Sequence, residues 1–250
     1  MTRIMAHRGA RNLWAENSLL GFRQILPHGF AAVEFDVHLT DAGELVVIHD
    51  ATLDRTTNLT GPVRALTPEA RRAARLRGPD GALTDEHIPT LDEVLALLAS
   101  DPTIELWVEL KSDAEGRPYP GLVARAAEAL DRHGLTARSA LHSFDISVVR
   151  EIRDVAPALK RLISVNADWA ARQGGIAALL AEVEGLVDIV GIHHDLFAAE
   201  FDTITALRPL AACSVWTVND PALIRDWIAR APGFIVSDDP VLVQQLMAEA

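Results

Sequence analysis

The feature that most constrains the fold is a regular alternation of short apolar runs with longer segments whose apolar residues recur at helical spacing. Strands of a buried parallel sheet are nearly continuous in apolar residues, and helices connect them. The runs that predict strands are Arg3-Ala6, Ala32-Val37, Leu45-Ile48, Ile104-Leu110, Ala140-Phe144, Arg161-Val165, Val187-Ile192, Ser214-Val218 and Phe234-Val236. The segments that predict helices are Ser18-Leu26, Leu91-Ala99, Leu122-His133, Ile146-Val155, Gly175-Val183, Phe201-Leu207, Pro221-Ala229 and Pro240-Ala248.

The number of these units favours a closed barrel. If Leu45-Ile48 is a hairpin partner of the strand before it, eight strand units remain within 250 residues, which is the usual size of a (β/α)8 barrel. A doubly wound open sheet is the alternative of similar length, but no Gly-x-Gly-x-x-Gly motif follows the first strand. Polar motifs lie at the ends of many strands. We therefore predict an α/β fold of the (β/α)8 type.

One stretch interrupts the alternation. Residues Ala51 to Pro89 combine an arginine-rich helical segment with glycine and proline and show little periodic apolar signal. We interpret this stretch as an insertion after the second barrel strand, in the form of a small lid. No repeat or linker divides the chain, so we expect residues 1–250 to form one domain.

Charge and composition exclude several classes of partner. The 23 Lys and Arg residues against 35 Asp and Glu residues give a net charge of −12, which disfavours binding to nucleic acid or to anionic lipid surfaces. No apolar run approaches the roughly 20 residues that cross a bilayer, and no export signal is readable. The single cysteine, Cys213, cannot form an intramolecular disulfide. We expect a cytoplasmic protein without stable membrane insertion, and self-association into a homo-oligomer stays open.

Three carboxylates indicate a cation site. Glu34 and Asp36 are alternate residues of one predicted strand, so their side chains share a face about 6.5 to 7 Å apart along the backbone. Glu109 lies in a second, strongly apolar strand, where a charge is costly unless it has partners. Carboxylate oxygens from two strands are the ligands that Mg²⁺ and Ca²⁺ prefer. The alternative is a set of surface-facing strand carboxylates.

Two histidines follow predicted strands at the end where a barrel builds its active site. His7 and Arg8 come directly after the first strand, and His49 follows Leu45-Ile48. An imidazole exchanges protons near neutral pH, and a guanidinium binds phosphate or carboxylate through two hydrogen bonds. The neighbouring Asp50 either orients the His49 ring or caps the following turn. Two histidines on separate strand ends could act as acid and base on opposite sides of one phosphorus atom.

Eight short motifs follow one another along the chain: AHRGA, AENS, EFDVHLT, LVVIHDATLDRTTNLTG, VELK, the dipeptide SF, WTVND and SDDP. Their residues and their order resemble the glycerophosphodiester phosphodiesterase family. The resemblance spans His7 to Pro240. It implies a TIM barrel with a small insertion after the second strand.

The resemblance also implies a metal site. By position, Glu34, Asp36 and Glu109 would bind the divalent cation, usually Mg²⁺ or Ca²⁺. Glu16 of the AENS motif would support the site near the metal and the first histidine.

The remaining family positions imply the acid, the base and the substrate contacts. His7 and His49 would be the acid/base pair. Arg8 and Lys111 would contact the phosphate, and Trp216 would pack against the alcohol group. Together with a divalent cation, the two basic side chains would outweigh the three carboxylates, so an anionic diester could enter an acidic protein.

The activity that the resemblance implies is metal-dependent hydrolysis of a small glycerophosphodiester to glycerol 3-phosphate and an alcohol. One alternative is a lysophospholipase D or sphingomyelinase D-like phosphodiesterase on the same barrel, which would need a route for an acyl chain. Another is a non-catalytic phosphate-ester binding protein, which would lack one of the histidines or carboxylates. The departing alcohol, the physiological metal and the choice between water and a cyclic phosphate route stay open.

Several further residues receive a prediction. His142, His193 and His194 either reach the head-group side of the pocket or are plain surface and loop histidines. Trp14 and Trp169 are expected at a pocket mouth, and Trp107 and Trp227 in the core. Cys213 is expected to be a small buried apolar residue. Asp238 and Asp239 are expected to close the last loop, without a catalytic role. The basic residues predicted to form a solvated helix face are Arg71, Arg72, Arg75 and Arg77.

Overall fold

The chain folds into a closed barrel of eight parallel strands. The structure, a computed structural model, describes residues 2–249. Around the barrel the strands follow the order β1, β2, β4, β5, β6, β7, β8, β9, and β9 pairs with β1. This confirms the predicted TIM barrel. The strands are β1 (Arg3–His7), β2 (Ala32–Leu39), β3 (Leu45–Val47), β4 (Glu105–Leu110), β5 (Ser139–Ser143), β6 (Lys160–Val165), β7 (Ile189–His193), β8 (Cys213–Trp216) and β9 (Phe234–Ser237).

The remaining strand, β3, lies outside the parallel barrel. It runs antiparallel to the end of β2, with Val46 opposite His38. The predicted hairpin partner is therefore confirmed. Its pairing brings the chain back to the mouth of the barrel, where His49 follows the strand.

The helices surround the barrel, and the eight that the sequence predicts begin within one residue of their predicted starts. Ser18, Thr90, Asp145 and Asp220 each accept a backbone N–H in the first turn of the helix that follows, as N-caps do. The helices are α1 (Leu19–Ile25), α2 (Pro68–Ala73), α3 (Leu91–Leu98), α4 (Leu122–Arg132), α5 (Ile146–Val155), α6 (Ala167–Arg172), α7 (Ile176–Glu182), α8 (His194–Ala199), α9 (Phe201–Leu207), α10 (Pro221–Arg230) and α11 (Pro240–Ala248).

Two helices, α6 and α8, are absent from the sequence-based prediction. Each has six residues, which is less than two turns, so no apolar period can repeat within it. Trp169, which is expected at a pocket mouth, lies in helix α6, and its indole packs against the core.

Apolar side chains fill both the inside of the barrel and the layer between strands and helices. Inside, the rings of Trp107 and Phe234 meet edge to face with centroids 5.5 Å apart. Trp227 is fully buried in the outer layer, against Phe197. Cys213 is buried as predicted, and burial raises the pKa of its thiol to about 11.

The insertion between β3 and α3 forms an apolar cluster together with Ala15 and Val46, although its sequence shows little periodicity. Irregularly spaced apolar residues meet there because the loop folds back on itself. The members of this cluster are Ala15, Val46, Ile48, Leu53, Val63, Leu66, Ala74, Leu76 and Ile88.

The predicted helix face of four arginines is wrong in two respects. Helix α2 ends at Ala73, before Arg75 and Arg77, and Arg71 is buried while Arg72 is exposed. Only 5% of Arg71 is exposed. Its guanidinium donates to the carbonyl of Ile88 at 2.9 Å and pairs with Glu44 at 3.1 Å. Arg71 therefore fastens the insertion to the barrel.

No helix within residues 2–249 is long and apolar enough to cross a bilayer.

Candidate active site

A cavity opens at the carboxyl ends of the barrel strands. The ends of neighbouring parallel strands lie at the same height along the barrel axis. Side chains that are far apart in the sequence therefore meet at this opening. Predicted site residues on its wall are His7, Arg8, Glu34, His49, Glu109 and Trp216. Lys111 and Asp36 lie beside this wall and contact each other at 3.0 Å.

Strand register explains why these residues meet. His7 of β1 is paired with Glu34 of β2, and Asp36 of β2 is paired with Glu109 of β4. Glu109 is in turn paired with His142 of β5. Neighbouring parallel strands thus place a histidine, three carboxylates and a second histidine around one arc of the barrel.

Glu34 is the least satisfied group of the site. It is 5% exposed, and neither of its carboxylate oxygens has a hydrogen-bond partner within the described residues. The nearest ring nitrogens are His7 Nε2, 3.6 Å from Oε2, and His142 Nε2, 3.9 Å from Oε1. Burial, together with the charges of Asp36 and Glu109, raises the pKa of Glu34 well above its usual value. A bound cation would remove this electrostatic cost.

Asp36 has charged and polar partners on both oxygens. Lys111 Nζ lies 3.0 Å from Oδ1, and Arg8 Nε lies 3.2 Å from Oδ2, which also accepts from Asn17 at 2.8 Å. Burial alone would raise the pKa of Asp36, but Lys111 and Arg8 hold it well below its usual value. Lys111 also donates to Glu109 at 2.6 Å. Asp36 thus holds Lys111 and Arg8, the two cationic side chains that are expected to contact phosphate.

The residues present fit a divalent cation. One oxygen each of Glu34 and Glu109 and one nitrogen of His142 all lie within 4.8 Å of one another. Ligands bound to one ion at about 2.1 Å are themselves separated by roughly 3 to 4 Å, so these three side chains could surround an ion with small adjustments. The buried Glu34 oxygens without partners are the observation that favours such an occupant.

His7 is held by a carboxylate from the other end of the chain. Its Nδ1–H donates to Asp238 Oδ1 at 2.5 Å. Asp238 is fixed in turn by the amide of Asn219 at 2.7 Å and the guanidinium of Arg11 at 3.0 Å. Burial and the charge of Arg8 lower the pKa of His7, while Asp238 acts in the opposite direction.

Asp238 closes the last loop as expected, through its hydrogen bonds with Asn219, and it also contacts His7, a predicted catalytic residue. The signal was the SDDP motif at the end of the last strand, where barrel side chains face the site. Asp239 has the structural role: it caps α11 through the backbone N–H of Leu242.

His49 belongs to a second chain of charged contacts. Its Nδ1–H donates to Asp50 at 2.7 Å, so Asp50 orients the imidazole. Arg55 bridges Asp50 to Glu16, with contacts of 2.6 Å to Asp50 and 2.8 Å to both Glu16 oxygens. Hydrogen bonds from His49 and Arg55 hold the pKa of Asp50 well below its usual range. Glu16, which also contacts Arg8 at 3.3 Å, connects the two histidine-bearing loops.

His38 supports the backbone of His49 from beneath. The phenol of Tyr119 donates to His38 Nδ1 at 2.9 Å, and His38 Nε2–H donates to the carbonyl of His49 at 3.1 Å. Burial lowers the pKa of His38 to about 4, so the ring is neutral and can fill both roles. Sequence reasoning did not single out His38 or Arg55. Both are in motifs that carry the family resemblance.

The far wall of the cavity is aromatic. The rings of Phe144 and Trp216 meet edge to face at 5.5 Å, and both line the cavity. His193 contacts the outer side of Trp216 at 5.1 Å and stacks on His194 at 4.4 Å. These two histidines lie next to the pocket wall, outside the cavity itself.

Trp14 lines a neighbouring cavity. Arg11, Arg55 and Arg77 share this second opening, which adjoins Glu16. The expectation that Trp14 lies at a pocket mouth therefore agrees with the structure, while Trp169 packs against the core.

A closed parallel barrel with titratable side chains at the carboxyl ends of its strands defines a TIM-barrel enzyme. The Glycerophosphoryl diester phosphodiesterase family model matches residues 7–242. The chain therefore belongs to this family, and it is a phosphoric diester hydrolase.

Individual proteins agree with the family model. The Bacillus subtilis protein YqiK is 34% identical over 249 residues, which are 99% of each chain. A glycerophosphodiester phosphodiesterase of Caldanaerobacter subterraneus is 35% identical over 64% of this chain and 65% of its own. A crystal structure from Agrobacterium tumefaciens superposes with a TM-score of 0.87 at 28% identity, covering 100% of this chain and 98% of that one.

Proposed function

We propose that the chain hydrolyses small glycerophosphodiesters to glycerol 3-phosphate and an alcohol, in a divalent-cation-dependent reaction with His7 and His49 as acid and base. The observation that carries the proposal is that both imidazoles have the same tautomer, fixed by the same kind of hydrogen bond. Each donates its Nδ1–H to a carboxylate, Asp238 or Asp50, and both rings lie on the wall of one cavity. This tautomer leaves Nε2 with the lone pair that takes up a proton.

The two rings act as base and acid in the reaction. One imidazole removes the proton of the attacking water or substrate hydroxyl and keeps it on Nε2, while the attacking oxygen forms its bond to phosphorus. The other, protonated on Nε2, gives its proton to the departing alkoxide as the P–O bond breaks. Each positioned acid or base accelerates such a step by about 10² to 10⁴. In the imidazolium form each ring is stabilised by its carboxylate partner, at 2.5 Å for His7 and 2.7 Å for His49.

The basic side chains bind the anionic substrate. Arg8 lines the cavity, and Lys111 is buried behind it between Asp36 and Glu109. Trp216 and Phe144 give the opposite wall an apolar surface for the carbon atoms of the alcohol.

Glu34, Glu109 and Asp36 are the proposed carboxylate ligands of Mg²⁺ or Ca²⁺. When bound, the cation would polarise a phosphoryl oxygen and neutralise developing negative charge. Glu34 supports this assignment most directly because it is buried without any partner for its oxygens. Asp36, whose oxygens are already paired with Lys111 and Arg8, would have to share them.

The test measures release of glycerol 3-phosphate from glycerophosphocholine, glycerophosphoethanolamine and glycerophosphoglycerol by metal-stripped protein. Mg²⁺, Ca²⁺, Mn²⁺ or chelator is then added back. We expect release that depends on metal, and ³¹P NMR during turnover separates direct water attack from a cyclic phosphate intermediate. If folded protein released nothing from any of these diesters, the proposal would fail and lysolipid diesters would be the next substrates to assay.

A further inference from the structure

His142 lies in the candidate active site without a function in the mechanism above. It is 3% exposed, and its Nε2 has no hydrogen-bond partner within residues 2–249. A buried ring nitrogen without a partner is costly, since its lost hydration is not replaced. Such a group calls for a ligand that the protein itself does not supply.

The unpartnered nitrogen is directed at the unpartnered carboxylate. His142 Nε2 lies 3.9 Å from Glu34 Oε1, too far for a hydrogen bond. Glu109, paired with His142 across the β4–β5 register, completes a buried group of three side chains. A separation of 3.9 Å is that of two ligands bound to one ion at about 2.1 Å each.

Ser164 fixes the orientation of the ring. Its hydroxyl lies 3.4 Å from His142 Nδ1, on the side away from Glu34. A metal-bound histidine usually donates its other N–H to such an oxygen, which sets the tautomer and leaves Nε2 free to coordinate.

We infer that His142 is a nitrogen ligand of the catalytic cation, next to Glu34 and Glu109, and that it shifts the preference of the site from Ca²⁺ towards Mn²⁺ and other transition metals. This inference rests on the proposed function, because it assigns a further ligand to the cation of that reaction. Imidazole nitrogen suits transition ions, whereas Ca²⁺ takes almost only oxygen ligands.

The test uses the full chain with Mn²⁺ or Ca²⁺ alone, without substrate. Pulsed EPR of Mn²⁺-loaded protein reports whether a ¹⁴N nucleus is directly coordinated, and calorimetric titration gives both affinities. We expect the wild type to show ¹⁴N coupling, and His142→Ala and His142→Gln to lose it. In both variants Mn²⁺ affinity should fall about tenfold or more, with a far smaller change for Ca²⁺.

His194→Ala is the matched control, because His194 is in a second histidine-carboxylate group outside the cavity. It should retain the wild-type coupling and affinities. Circular dichroism establishes that each variant is folded. Glutamine fills more of the volume of the histidine ring than alanine does, so His142→Gln remains informative if the cavity left by alanine destabilises the fold.

The outcomes separate this inference from the proposed function. Mn²⁺ that binds the wild type without ¹⁴N coupling, or coupling that persists in both His142 variants, overturns the inference and leaves cation dependence intact. A wild type that binds no divalent cation overturns both.

Discussion

His7 Nδ1 lies 2.5 Å from Asp238 Oδ1, a contact between residues separated by 231 positions in the chain. It exists because β1 and β9 pair and close the barrel. The closure thus gives the first proposed catalytic histidine its orienting carboxylate, as the neighbouring Asp50 does for His49.

The Asp238 contact predicts a large effect of a small substitution. Asp238→Asn keeps the side-chain shape but removes the charge that fixes the His7 tautomer and stabilises its imidazolium. We expect turnover to fall about 10²-fold, as for loss of a positioned base. The assay is steady-state release of glycerol 3-phosphate. Asp239→Asn, which keeps an N-cap residue on α11, is the control and should retain wild-type turnover.

The two imidazoles themselves are the next targets. His7→Ala and His49→Ala should each reduce kcat by about two orders of magnitude or more, with circular dichroism and unfolding close to wild type. His133→Ala, on the surface against Asp92, is the control. Turnover near the wild-type rate in either catalytic variant would remove that residue from the mechanism.

Arg55 should matter more than its exposure implies. It is 46% exposed in its side chain, yet it connects Glu16 to the carboxylate that orients His49. Arg55→Ala should lower kcat/KM about tenfold through displacement of the His49 loop. Arg64→Ala removes an arginine of 47% exposure that pairs with Asp41, and should leave kcat/KM unchanged. Equal effects of the two substitutions would contradict the bridging role.

Removal of one proposed metal ligand should weaken metal binding and leave the fold intact. Glu34→Gln should raise the metal concentration for half activity about tenfold or more and abolish the rise in Tm that metal produces in the wild type. Without metal the variant should be at least as stable as the wild type, because the substitution removes a buried carboxylate that lies close to two others. Glu105→Gln, whose carboxylate pairs with Arg3 and Lys160, is the control. An unchanged metal requirement would place the cation elsewhere.

The same Asp238 carboxylate predicts a pH dependence of stability. Burial alone would raise its pKa, but hydrogen bonding and the charge of His7 lower the pKa of Asp238 from 3.8 to about 2. A carboxyl whose pKa is lower in the folded state stabilises the fold above the unfolded pKa, and this contribution is lost as the pH falls through the folded pKa. The shift corresponds to about 2 kcal/mol at neutral pH, with roughly half remaining at pH 3.

Urea unfolding of the wild type and Asp238→Asn between pH 7 and pH 3 checks this window. The difference in unfolding free energy between the wild type and the variant should narrow as the pH falls below about 4. A difference that stayed constant down to pH 3 would mean that the Asp238 pKa is not lowered in the fold.

Local patterns in the sequence determined the repeating units of this protein. The spacing of apolar residues predicted the barrel strands and most helices, with starts that the structure places next to the N-caps Ser18, Thr90 and Asp145. The strand period placed Glu34 and Asp36 on one face, and strand ends marked His7 and His49. All of these properties depend on neighbours within one or two turns or pleats, which the sequence displays directly.

Only the tertiary structure decided which of these groups touch. Barrel closure brought Asp238 to His7, and the β4–β5 register brought His142 to Glu109. The burial of Arg71 depends on an insertion whose apolar residues follow no period. Such contacts join residues far apart in sequence, and their geometry is fixed by the packing of the whole barrel rather than by any local preference.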